Sequence, residues 1–133
     1  MPLIILYIST AIIFLGLDAV MLKNVMRPLF ETRLGDQLLD DLRLGAAALF
    51  YLAYVGGVLY FVSAPALRDG GALGAVFLSA AILGAMAYGT YEFTNFATLK
   101  AWDWRMVAVD LTWGAALTGT SAALGLWITR AVT

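Results

Sequence analysis

The sequence predicts an all-α polytopic membrane protein, a four-transmembrane-helix bundle with a short interfacial helix between spans one and two. Three observations carry that reading. Of 133 residues, 62% are hydrophobic and only 13% are charged, whereas soluble domains run near half apolar and about a quarter charged. Mean hydropathy is +0.88. Most of the charges are clustered between long apolar runs rather than interspersed. A chain this short has too little interior to hide such a surface from water, and the bilayer is the solvent that suits it. The whole chain, 1–133, reads as one domain.

The first span covers 3–22. Its N-terminal apolar run resembles a signal peptide, but no basic residue precedes it and no small-residue cleavage site follows, so it reads as a retained helix. Asp18 lies about one turn from its far end, where a carboxylate costs about 3 kcal/mol unless it faces protein or water. The stretch from Lys23 to Arg43 is the one long polar segment. Val25, Met26, Leu29, Phe30, Leu34, Leu38 and Leu42 recur in it at helical spacing, the pattern of a helix lying in the membrane interface. Gly35-Asp36 supplies a stop followed by an N-cap.

The second span covers 44–64, with Pro65 expected to end it. Tyr51, Tyr54 and Tyr60 fit an aromatic belt near its two ends. The third covers 72–99, long for one crossing, since about 20 residues suffice. Ala81, Ala85 and Gly89 form a small-residue ridge suited to close helix packing. A tight loop, Lys100 to Arg105, leads to the fourth span, 106–129, where Gly114, Thr118 and Ala122 form a second ridge.

Orientation follows from the cations. Lys23, Arg27, Arg33, Arg43, Lys100 and Arg105 share one side, against Arg68 and Arg130 on the other. The longer polar connections are therefore expected on the cytoplasmic side, with both termini outside. The net charge of -1 and the lack of a large basic patch give no footing for nucleic acid. Expected partners are the lipid bilayer and a second copy or a larger membrane complex. With no Cys and no His, the usual ligands of haem, iron–sulfur clusters and zinc are missing. An oxygen-ligand site for a hard cation remains open on Asp18, Glu92 and Asp110, although their spacing specifies none.

Chemistry concentrates in the run from Tyr88 to Trp104. On a helix, residues three and four apart share a face, so Tyr88, Tyr91, Glu92 and Asn95 form one stripe, with Thr98 beside Asn95. Asp110 and Trp113 share a stripe on the fourth span. Folding the hairpin at its short loop puts Glu92 roughly 10 Å and Asp110 roughly 7 Å from the membrane boundary, at a rise of 1.5 Å per residue. Asp18 reaches a comparable depth on the first span. Three carboxylates converging in low dielectric cannot all stay charged; Lys23, Arg27 and Lys100 are placed to supply a balancing cation from the rim. Asn95, Thr98, Tyr88 and Tyr91 can fill the remaining hydrogen-bonding capacity. Trp102, Trp104, Trp113 and Trp127 fit interfacial anchors.

The run Tyr88-Gly-Thr-Tyr-Glu-Phe-Thr-Asn-Phe-Ala-Thr-Leu-Lys-Ala-Trp102, followed by Val109-Asp-Leu-Thr-Trp-Gly114, resembles a bacterial membrane family designated domain of unknown function 2177. The resemblance covers the whole chain and implies four spans. It makes Glu92, Asn95, Thr98, Lys100, Asp110 and Trp113 one motif, in which the position of Glu92 is commonly Asp. It brings no established activity with it.

Three functions suit these residues. The first is a small-molecule or cation binding protein or transporter with proton coupling, using Asp18, Tyr88, Tyr91, Glu92, Asn95, Thr98, Lys100, Asp110 and Trp113. The second is a membrane-embedded enzyme acting on a lipid or isoprenoid, with Glu92 or Asp110 as general acid or base; the absence of a recognised nucleophile weighs against it. The third is an accessory subunit whose polar cluster is a packing latch. The first accounts for most of the polar residues.

Overall fold

The computed structural model describes residues 2–21, 24 and 44–133, and within them every long element is helical. Helix α1 spans Pro2–Met21. Helix α2 covers 44–69 as Leu44–Val58, a π turn at Leu59–Ser63, and Ala64–Asp69. Helices α3 and α4 span Leu73–Thr98 and Trp104–Val132. The interfacial helix expected between Lys23 and Arg43 lies outside the described residues, apart from Asn24.

Pro65 does not end the second helix. The helical path runs through it to Asp69, and the preceding turn widens instead. A proline lacks an N–H and crowds the carbonyl four residues back; a π turn just before it relaxes that crowding. The end comes at Gly70, whose φ of 74° is the left-handed C-cap that glycine adopts without a Cβ clash. Arg130 of α4 closes this corner, donating to the carbonyls of Ala66 (3.1 Å) and Gly71 (2.6 Å).

The α3–α4 hairpin forms the most extensive contact, and α1 also packs on α4. The buried ridge of α3 is Val76, Ala80, Gly84 and Glu92, rotated by about one residue from the expected Ala81–Ala85–Gly89 ridge, of which only Gly89 is buried. The α4 ridge of Gly114, Thr118 and Ala122 is buried as expected. Gly114 lies against the ring of Tyr88, and Gly125 lies against Thr10. A Cβ at either glycine would collide, so these are positions where the absent side chain lets helices close.

Among the described residues, three helical stretches are long and apolar enough to cross a membrane: Pro2–Met21, Gly45–Asp69 and Leu73–Thr98. Helix α4 is not among them. Its buried face is wide and built of small and hydroxyl residues, including Gly114, Thr118, Gly119, Ser121, Gly125 and Thr129. It spends its surface on protein contacts rather than on hydrocarbon, which lowers its apolar content without removing its place in the bundle. Outward-facing Leu3, Ile12, Leu49, Phe61, Leu78 and Ile82 are all exposed, the arrangement for a lipid solvent.

Candidate functional site

The site sits at the end of the bundle closed by the α3–α4 loop. Helix α3 stops with Leu99 N–H on the Asn95 carbonyl, at 2.8 Å. Helix α4 starts on Asp103, whose carboxylate accepts from Met106 N–H at 3.0 Å, a side-chain N-cap. The short link between these caps folds Trp102 back under α3. Trp102 is 6% exposed and packs with Met106, Val107 and Phe96. Its indole Nε1 donates to Glu92 Oε1 at 2.8 Å.

Glu92 is fully buried. Its second oxygen, Oε2, has no hydrogen-bond donor among the described residues. The Asp110 carboxyl of α4 lies beside it, and Asp18 lies close enough to act on Asp110. Asp110 and Asp18 are 9% and 7% exposed. Trp113 Nε1 donates to Asp18 Oδ1 at 3.1 Å. Two indoles therefore each hold one carboxylate, from different helices. Among the described residues no cation forms an ion pair with these acids; the one pair found is Arg68–Asp69 at 3.6 Å, at the opposite end. Nor do three acids among the described residues gather in a set that could hold a metal ion.

Aromatic residues wall the cluster on its inner side. Phe14 of α1 meets Tyr51 and Tyr54 of α2 with ring centroids 5.6 Å apart in both pairs. Tyr54 meets Tyr88 of α3 edge-on at 6.3 Å. Tyr51 lies beside Asp18. The Tyr88 hydroxyl is buried, has no hydrogen-bond partner among the described residues, and stands within range of Asp18, Asp110, Tyr51 and Tyr54.

The expected residues thus divide. Asp18, Tyr88, Glu92, Asp110 and Trp113 come together in the interior. Tyr91 is half exposed at the rim, edge-on to Trp102 at 5.8 Å and beside Asn95. Thr98 does not join: it is exposed, and its hydroxyl donates to the Thr94 carbonyl at 2.8 Å in its own helix. Lys100 is exposed and does not balance the acids; Lys23 and Arg27 lie outside the described residues. Trp102 joins the site instead of anchoring the interface, while Trp104, 59% exposed, fits the anchor role. Tyr51 and Tyr54, assigned from sequence to the aromatic belt, are further additions. Their spacing of three within one span was the available signal, since it puts both on one face.

Chemically, this is an acid site with more anionic capacity than donors among the described residues. Its charge can be balanced by a shared proton or by a bound cation. No curated protein and no solved structure matches the chain. The model of one family, described as "Predicted membrane protein (DUF2177)", matches residues 3–127. The chain spans nearly the whole of its length in that match, and it belongs to this family of predicted membrane proteins.

Proposed function

We propose that this is a four-span, single-domain protein of a bacterial inner membrane that binds a proton in exchange for a small cation at an acid site near its cytoplasmic face. The observation that carries this reading is the Glu92–Asp110 pair. Glu92 is fully buried, one oxygen is held by Trp102, the other has no hydrogen-bond partner among the described residues, and the Asp110 carboxyl lies beside Glu92. Among the described residues no cation pairs with these adjacent buried carboxylates; such a pair is balanced by one positive charge, for which a proton and a cation compete. The cation count of the loops supports the cytoplasmic placement. Helix α4 takes part as the fourth span on this reading, its deficit in hydropathy explained by the small and hydroxyl residues that it buries.

The test is proton flux into proteoliposomes carrying an internal pH dye, under an imposed potential. Wild type is expected to acidify the lumen, and Glu92→Gln and Asp110→Asn to abolish the signal while still accumulating in the membrane. Wild-type vesicles that remain tight to protons and to small monovalent cations at every pH would overturn the proposal. Loss of membrane accumulation in both variants would favour a packing latch.

A further inference from the structure

Beyond the acid site, the interior of the bundle carries a file of buried hydroxyls that the carboxylates do not use. Contacts between helices fix their order along α4. Tyr88 lies on Gly114. Tyr54 and Thr118 share a hydrogen bond of 2.9 Å. Ser121 follows, 1% exposed. Thr10 of α1, also 1% exposed, lies on Gly125. Thr129 comes last, next to Arg130 at the α2–α3 corner. Ser63, fully buried, sits in the π turn of α2, which packs against α4 toward the same end.

The hydroxyls of Thr10, Ser63, Tyr88 and Ser121 are buried without a hydrogen-bond partner among the described residues. One such group is a small loss, but four along a single interior track are not what packing alone selects, because each buried hydroxyl left unpaired is destabilising. A helical serine or threonine can satisfy itself on the carbonyl four residues back, as Thr129 does on Gly125 at 2.8 Å. Thr10 and Ser121 do not. The steps along α4, at three or four residues each, rise about 4.5 to 6 Å along the helix axis, a spacing that a bridging water can match.

We infer that this track is a proton path from the face opposite the α3–α4 loop to the acid site, with Tyr54 and Thr118 as the direct link and with water bridging Ser63, Thr10, Ser121 and Tyr88. It rests on the proton-binding reading above. Each hydroxyl accepts a proton on one side and releases one on the other, so it ends unchanged. The proton that enters at the far end finishes on the Glu92–Asp110 pair, and nothing is oxidised or reduced. Tyr88 is the junction: it lies one turn from Glu92 on α3, its ring rests on Gly114 one turn from Asp110 on α4, and it meets Tyr54 edge-on.

The experiment pairs flux with an independent readout of the acid site. Trp102 and Trp113 are bonded to Glu92 and Asp18, so in a Trp104→Phe, Trp127→Phe background their emission reports protonation of the site. The double variant Thr10→Val, Ser121→Ala keeps side-chain shape and removes two hydroxyls. It is expected to slow proton uptake by about tenfold or more with the emission titration intact. Thr10→Ser with Ser121→Thr keeps the hydroxyls and should keep the flux, which separates lost hydroxyls from disturbed packing. Wild-type flux in the double variant, with the titration intact, overturns the path. An emission that does not respond to pH, in wild type as in Glu92→Gln, overturns the proton-binding reading and the path with it.

Discussion

Glu92 shows how much one side chain depends on one donor. Its carboxylate is fully buried, and Trp102 supplies the hydrogen bond found for it. Trp102→Phe keeps most of the ring and removes the N–H, so it should destabilise the protein by about 1–3 kcal/mol, the cost of stripping a buried acceptor of its partner. A double-mutant cycle with Glu92→Gln in detergent unfolding would show the pair as coupled; additive losses would separate them. The acids were legible in the sequence because a carboxylate inside hydrocarbon must face protein, and a short hairpin matches the depths of Glu92 and Asp110. Trp102 was not legible, because the fold-back that aims it at Glu92 is set by two caps meeting across a short loop, with no periodicity to reveal it. Thr98 misled for a different reason. Helical spacing says which face a residue shares, but not whether its hydroxyl turns back on its own carbonyl, as this one does.

At the scale of elements, small residues decide where helices touch. Gly125 receives Thr10 so closely that an alanine there forces α1 off α4. Gly125→Ala gains helix propensity of about 1 kcal/mol, yet overpacking costs about 1–3 kcal/mol, so a net loss of stability is expected from thermal unfolding in detergent. Gly45→Ala, where a Cβ meets nothing within 4 Å, is the matched control and should be neutral or stabilising. The α4 ridge was readable because glycine, threonine and alanine recur there at four-residue spacing. The α3 ridge was displaced by about one residue because alanines and glycines are spread around that helix, so composition leaves the choice of face to the partner. Pro65 marks a similar limit: the rule that proline ends a helix assumes a regular turn before it, and the π turn at Leu59–Ser63 removes that premise.

At the scale of the molecule, the open question is the direction in which the bundle crosses the membrane. The mean composition announced a membrane protein at once, and three helices meet the demands of a span. Helix α4 falls short of them because its sequence answers to its neighbours rather than to lipid, an effect that a hydropathy window cannot separate from a soluble helix. The absence of cysteine makes both matters measurable in the native background. A single cysteine at exposed Arg68, on the α2–α3 corner, or at Thr133, beyond α4, should react with an impermeant maleimide added to intact cells. A cysteine at exposed Lys100, in the α3–α4 loop, should react only after the membrane is opened. That pattern requires α4 to cross, since Lys100 and Thr133 lie at its two ends. Labelling of Lys100→Cys and Thr133→Cys from the same side would remove α4 as a span. Labelling of Lys100→Cys alone in intact cells would invert the bundle and bring the acid site to the outer face, where the proton path would have to fill from the cytoplasm.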